Sequence, residues 1–259
     1  MSKIKWTLVA GVCALTLAAM WAVPANAQEA VKAKAPMYSY ISNWQIPRAH
    51  WAEMKADAAE KALMDKAMAD GTLVGYGFDQ NLVHTPDGWT HDDWFASMSE
   101  GGIYSVLKQL NTQGMSTTSV LEAATKHWDM VFVSRYYGWQ PGATYKGGIV
   151  AVSKYKLKKN APDGALNAIS SRIVAPLMEK LLADGTIVEY EIDTLDVHTT
   201  APGTFWIATV VKDPADVDKV DAAIRADIKA HPMEGVSFDA VVDMSAHRDE
   251  MALGDGVYK

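Results

Sequence analysis

Hydrophobic and polar positions along this chain change period several times, and the changes predict a run of short elements. Met37 to Gln45 holds Tyr, Ile and Trp in strand-like density. Pro47 suits a helix start, and Trp51, Met54, Ala58, Ala62 and Met68 form an apolar stripe down a predicted helix of about twenty residues. Asp70-Gly71 stops that helix in the usual glycine manner. Residues 72–84 and 94–98 read as two strands joined by a Pro-Asp-Gly loop. Ile103, Val106, Leu107 and Leu110 mark a second helix, and residues 129–134 a closing strand.

The pattern then repeats. Residues 63–85, LMDKAMADGTLVGYGFDQNLVHT, match residues 177–199, LMEKLLADGTIVEYEIDTLDVHT, at a constant offset of 114 without a gap. Thirteen of the 23 positions are identical, which identifies an internal duplication. Trp94 and Trp206 match again after a loop two residues longer in the first copy. In the second copy, residues 148–155 read as a strand. Leu166, Ile169, Ile173, Leu177 and Leu181 mark a helix that Pro176 is expected to kink. Residues 186–198 and 204–211 form the hairpin, Asp213-Pro214 opens a helix carrying Val217, Val220, Ile224 and Ile228, and residues 238–244 close the copy.

Each copy is therefore a βαββαβ unit, which makes a four-stranded antiparallel sheet with both helices on one face. The bare face needs cover, and the tandem copy supplies it. The predicted fold is α+β: two ferredoxin-like units whose sheets pack as one pseudo-twofold α/β barrel. The boundaries read as a signal peptide 1–27, a tail 28–36, a first repeat 37–137, a linker 138–147, a second repeat 148–247 and a C-terminal tail 248–259. In element order and duplication the chain resembles the dimeric α/β-barrel superfamily in its fused form. That group includes NIPSNAP-like, EthD-like and antibiotic-biosynthesis monooxygenase-like proteins. The resemblance implies a fold that hosts cofactor-independent oxygenases, isomerases and ligand binders, and it carries no catalytic signature.

The N-terminus predicts export. Lys3 and Lys5 precede an uncharged apolar run over residues 6–23, and Pro24 and Ala25-Asn26-Ala27 follow as a signal-peptidase site. Cleavage after Ala27 implies a periplasmic or secreted protein with no stable membrane insertion. It also removes Cys13, the single cysteine of the chain. The mature protein then has no disulfide, no thiolate nucleophile and no cysteine metal site. The net charge of −7 and the lack of a basic segment argue against a nucleic-acid partner.

The candidate ligand-binding residues are those kept in both copies: His84, Tyr76 and Trp94, answered by His198, Tyr190 and Trp206. Tyr76 and His84 are spaced to share one strand face, as are Tyr190 and His198, and that face is predicted to look toward the helices. A histidine and a tyrosine beside a tryptophan suit a flat organic ligand. The competing use of the same residues is core packing and strand capping. Aromatic residues are denser in the first copy, which favours a ligand site there. The opposite face holds Gly75, Gly77 and Asp79 in one copy and Glu189, Glu191 and Asp193 in the other, and reads as an exposed edge strand guarded by charge. No nucleotide loop, no catalytic-serine motif and no metal-ligand spacing is found, so no cofactor or metal is predicted and no catalytic residue is assigned. Three function classes follow: an exported binder of a flat, apolar small molecule, a cofactor-independent monooxygenase or isomerase, and a scaffold without a ligand site. An open sheet–helix pocket separates the first two from the third. The oligomeric state is left open by the sequence.

Overall fold

Residues 29–54, 58–85, 88–113 and 119–259 are described by a computed structural model, so the signal segment and its cleavage site lie outside the described residues. The first unit runs β1 (Met37–Gln45), α1 (Ala58–Asp70), β2 (Gly75–Asn81), β3 (His91–Ser97), α2 (Glu100–Gln113), a single turn α3 (Ser119–Glu122) and β4 (Lys126–Trp139). The second runs β5 (Thr144–Lys156), α4 (Ala165–Ile169), a π turn (Ser170–Val174), α5 (Ala175–Ala183), β6 (Glu189–Leu195), β7 (Thr204–Val211), α6 (Pro214–Ala230), α7 (Pro232–Val241) and β8 (Arg248–Tyr258). All strand pairs are antiparallel. The strands close as β1-β3-β2-β8-β5-β7-β6-β4. Each unit thus contributes a sheet of four, and the β2–β8 and β4–β6 pairs weld the two sheets into one barrel.

Five expectations need correction. The stripe from Trp51 to Met68 is not one helix. Residues Arg48–Glu53 form a 3-10 turn behind Pro47 with no side-chain cap, and Trp51 donates its indole N–H to the Ile46 carbonyl at 2.9 Å. Trp51 therefore packs locally with Trp44, Ile46 and Val120 instead of along α1. Residues 238–244 are not the last strand, because Pro232 restarts a helix whose Phe238 packs edge-on against Tyr155 at 5.4 Å. The supposed tail 248–259 is strand β8, which alternates buried and exposed residues and seals the barrel. The linker shrinks as well, since β4 continues to Trp139 and β5 begins at Thr144.

A further correction concerns the charged face. Cross-strand partners share a sheet face, so the pairs Asp79–Asp92, Gly77–Trp94, Glu191–Ala208 and Asp193–Trp206 all lie on one side. That side is the barrel bore, not solvent. Asp79, Asp92, Glu189, Glu191 and Asp193 are all buried there. The reason is topological: β2 and β6 are not edges, because β8 and β4 cover them. Large rings fill the remaining bore. Trp94 lies against Tyr258 at 5.3 Å, and Phe132 meets Trp206 edge-on at 4.9 Å. Gly77 and Gly256 cede the volume: a Cβ at either would stand 2.6 or 2.5 Å from the Trp94 or Tyr145 ring.

On the outer face each unit builds its own core under its helices. Leu63, Met64, Leu73, Phe95, Ile103 and Val106 pack in the first, and Leu177, Met178, Leu181, Ile187 and Tyr190 in the second. Where a kink is expected, Pro176 stands in the first turn of α5, directly after the five-residue π turn. Among the described residues no helix is long and apolar enough to cross a membrane.

Candidate functional site

Between the outer face of the first sheet and its helices lies a cavity of about 1240 Å³, whose lining also takes in Gly77 and Trp94 and, from the second copy, Tyr145 and Lys146 of β5 and Asp255 of β8. Its walls combine Met64, Leu107 and Leu110 from the helices with Tyr40, Tyr76, Phe78 and Phe95 from the strands. These rings stand together because positions two apart on a strand share a face, and the outer face of β1, β2 and β3 is the aromatic one.

One end of the cavity is polar. His127 and Asp129, two residues apart on β4, point the same way. His127 Nε2 lies 2.9 Å from Asp129 Oδ1 and 2.9 Å from Ser42 Oγ. Tyr40 donates its hydroxyl to the same Asp129 oxygen at 2.7 Å, and the Trp44 ring stacks on the imidazole with centroids 3.7 Å apart. Burial and the hydrogen bond to the Asp129 carboxylate both push the Tyr40 hydroxyl well above the usual phenol range. On β3, burial and the nearby Glu60 charge lift the Asp93 carboxyl to about 8. On the helix side, Tyr76 donates to Asp65 at 2.6 Å, and Lys61 pairs with the other Asp65 oxygen at 2.7 Å. Those two donors, Lys61 first, hold the Asp65 carboxyl below the usual carboxylate range.

The second unit repeats this constellation in smaller form. Its sheet–helix cavity is about 630 Å³. His247 Nε2 lies 2.9 Å from Asp249 Oδ1, Ser153 donates to that oxygen at 2.6 Å, and the Tyr155 ring stacks on His247 at 4.4 Å. Each copy therefore sets a His-x-Asp under an aromatic ring from its first strand, within β4 in the first copy and at the entry to β8 in the second.

The structure divides the sequence-predicted residues. Tyr76 lies in the wall of the larger cavity, on the helix-facing side as expected. Tyr190 occupies the matching place and donates to Glu179 at 2.7 Å, fully buried. Trp94 and Trp206 belong to the opposite face and project into the bore, although atoms of Trp94 border the larger cavity. His84 and His198 sit beyond the strand ends, exposed in loops. His84 packs against Trp51 at 4.8 Å, beside the buried His91, whose pKa burial lowers to about 4. Tyr76 and His84 are thus not brought together. Sequence reasoning missed Tyr40, Ser42, Asp93, His127 and Asp129. The usable signal was the repeated His-x-Asp at 127–129 and 247–249, hidden because its offset is 120 where the helix and hairpin repeat at 114.

No family model matches the chain, and no curated protein matches it. Solved structures do. A candidate monooxygenase from Lactobacillus acidophilus is 13% identical, covering 87% of this chain and 97% of that one at a TM-score of 0.61. A second, from Fusobacterium nucleatum, is 8% identical, covering 87% and 94% at a TM-score of 0.53. The chain has the dimeric α/β-barrel fold. It carries both halves of that barrel in one polypeptide, and at these identities the likeness speaks for architecture alone.

Proposed function

We propose that this dimeric α/β-barrel chain is an exported binding protein for a flat, largely apolar small molecule bearing one or two oxygen atoms. The observation that carries the reading is the larger cavity, aromatic and aliphatic along its walls and polar at one end. Known small-molecule sites are apolar clefts of roughly 300–1,000 Å³ with a few convergent polar groups; at about 1240 Å³ this one is larger but shares that apolar lining and polar end. Tyr40 and Tyr76 flank the space for a planar ring. Asp93, held above the usual carboxylate range, and the His127–Asp129 pair supply the polar groups.

A neutral planar fluorophore, N-phenyl-1-naphthylamine, tests the reading. It is expected to brighten on saturable binding to the purified chain. Leu107→Trp, which fills the cavity from α2, is expected to abolish that signal while leaving the far-UV spectrum unchanged. Undiminished probe binding by the folded Leu107→Trp protein would sink the proposal. Export is part of the same reading and is supported by the N-terminal pattern. The secreted protein is expected to begin at Gln28 on N-terminal sequencing, and a retained Met1 would contradict it.

A second reading, a cofactor-independent monooxygenase or isomerase, is favoured by one feature, the His127–Asp129–Tyr40 cluster bordering the cavity. A histidine held by a carboxylate can take a proton from an acidic ligand. Oxygen uptake with hydroquinones, lost in His127→Ala while the probe still binds, would favour this reading over simple binding.

A further inference from the structure

The junction of α6 and α7 brings together three side chains that the cavity of the first copy does not involve. Asp227 lies in the last turn of α6, His231 caps that helix, and Glu234 lies in the first turn of α7. The spacing of four and then three residues keeps all three on one side of the helical path across the break. Pro232 fixes the break, so His231 serves both as the end of one helix and as the start of the next.

Each of the three offers one ligand atom, and these atoms lie within 4.8 Å of one another. His231 Nδ1 stands 3.2 Å from Asp227 Oδ1. A tetrahedral ion with bonds of about 2.0 Å has ligand–ligand edges of about 3.3 Å, so the spacing already suits a shared metal. A hydrogen bond between His231 and Asp227 would account for those two residues as a plain helix cap, but it leaves Glu234 unexplained. Glu234 Oε2 is buried with no hydrogen-bond partner among the described residues. A buried carboxylate oxygen without a donor is costly, and a cation relieves that cost. The surroundings are of one sign. Asp221, Asp239, Asp249 and Glu250 line the same smaller cavity as Asp227 and Glu234, and its lining includes no lysine or arginine.

We infer that Asp227, His231 and Glu234 form a divalent metal site at the edge of the second copy's cavity. One imidazole nitrogen and two carboxylate oxygens suit a borderline first-row ion such as Zn²⁺ or Co²⁺ over the harder Ca²⁺ or Mg²⁺. Three protein ligands leave at least one coordination position for water or for a donor group of a molecule entering that cavity. The site is independent of the binding reading for the first copy, since it uses the other cavity.

Calorimetric titration of the purified, metal-stripped chain with Zn²⁺ alone is the test. One ion per chain is expected to bind, with affinity falling by an order of magnitude or more in both His231→Ala and Glu234→Gln. Co²⁺ is expected to give visible absorption bands that weaken in Glu234→Gln. That isosteric variant keeps the test usable if His231→Ala disturbs the helix break. Absence of Zn²⁺ binding, or binding that survives Glu234→Gln unchanged, overturns the site.

Discussion

Asp79 shows how far a residue's setting can depart from what its type suggests. On a strand face with Gly75 and Gly77 it reads as a solvated guard, yet it is buried in the bore with four other carboxyl groups. Burial, then the Asp93 and Asp255 charges, lifts it to about 8, and burial lifts Glu191 to about 7. In the unfolded chain both titrate near 4. The native state therefore holds protons that the unfolded state releases between about pH 4 and 8. Their stabilisation is fully present below that window and is lost across it, by about 1.4 kcal/mol per pH unit for each such group, until pH has risen through 7 for Glu191 and 8 for Asp79. Thermal melts from pH 5 to pH 9 are expected to show a falling midpoint, and Asp79→Asn is expected to flatten the fall and raise the midpoint at pH 9. A midpoint that rises over this range would contradict the buried, protonated bore. Of the candidate residues, Tyr76 and Tyr190 were legible because a two-residue period fixes a strand face. His84 and His198 were not, because the strands end at Asn81 and Leu195 and a loop residue has no face to inherit.

At the scale of elements, the hairpins and the first helices were legible because their sequence repeats almost unchanged. The C-terminal elements were not. Strand β8 reads Arg-Asp-Glu-Met-Ala-Leu-Gly-Asp-Gly-Val-Tyr, polar and glycine-rich, because Gly254 and Gly256 face a bore filled from the other strands. A strand whose inward positions are glycine leaves no hydrophobic alternation to read. The same logic makes these glycines sensitive. A Cβ on Gly77 would stand 2.6 Å from the Asp255 carbonyl oxygen as well as from the Trp94 ring, and backbone cannot move aside as a side chain can. Gly77→Ala is expected to cost about 1–3 kcal/mol in chemical denaturation, the usual range for overpacking. Gly142, with nothing within 4 Å of its Cβ position but a φ of +65°, makes a useful comparison: its alanine variant tests backbone strain alone.

At the scale of the whole molecule, duplication predicted two sheets face to face, and the closed order of eight strands is how they meet. What the sequence concealed was the bore, since a charged face becomes an interior only once both seams are closed. Each seam pairs a strand of one copy with a strand of the other, and both copies belong to the same polypeptide. Residues 140–143, between β4 and β5, are all that separates them along the chain. Sheet closure is therefore an event within one molecule, with an effective concentration set by a four-residue tether and not by the solution. The melting midpoint is expected to stay constant over a hundredfold dilution, roughly 1 to 100 μM, where a barrel assembled from two separate chains would lose stability by mass action. The tether also removes the constraint that a symmetric pair imposes. In an assembly of identical chains every substitution appears in both halves at once. Here one cavity is about 1240 Å³ and its counterpart about 630 Å³, an inequality that a pair of identical chains could not hold at rest.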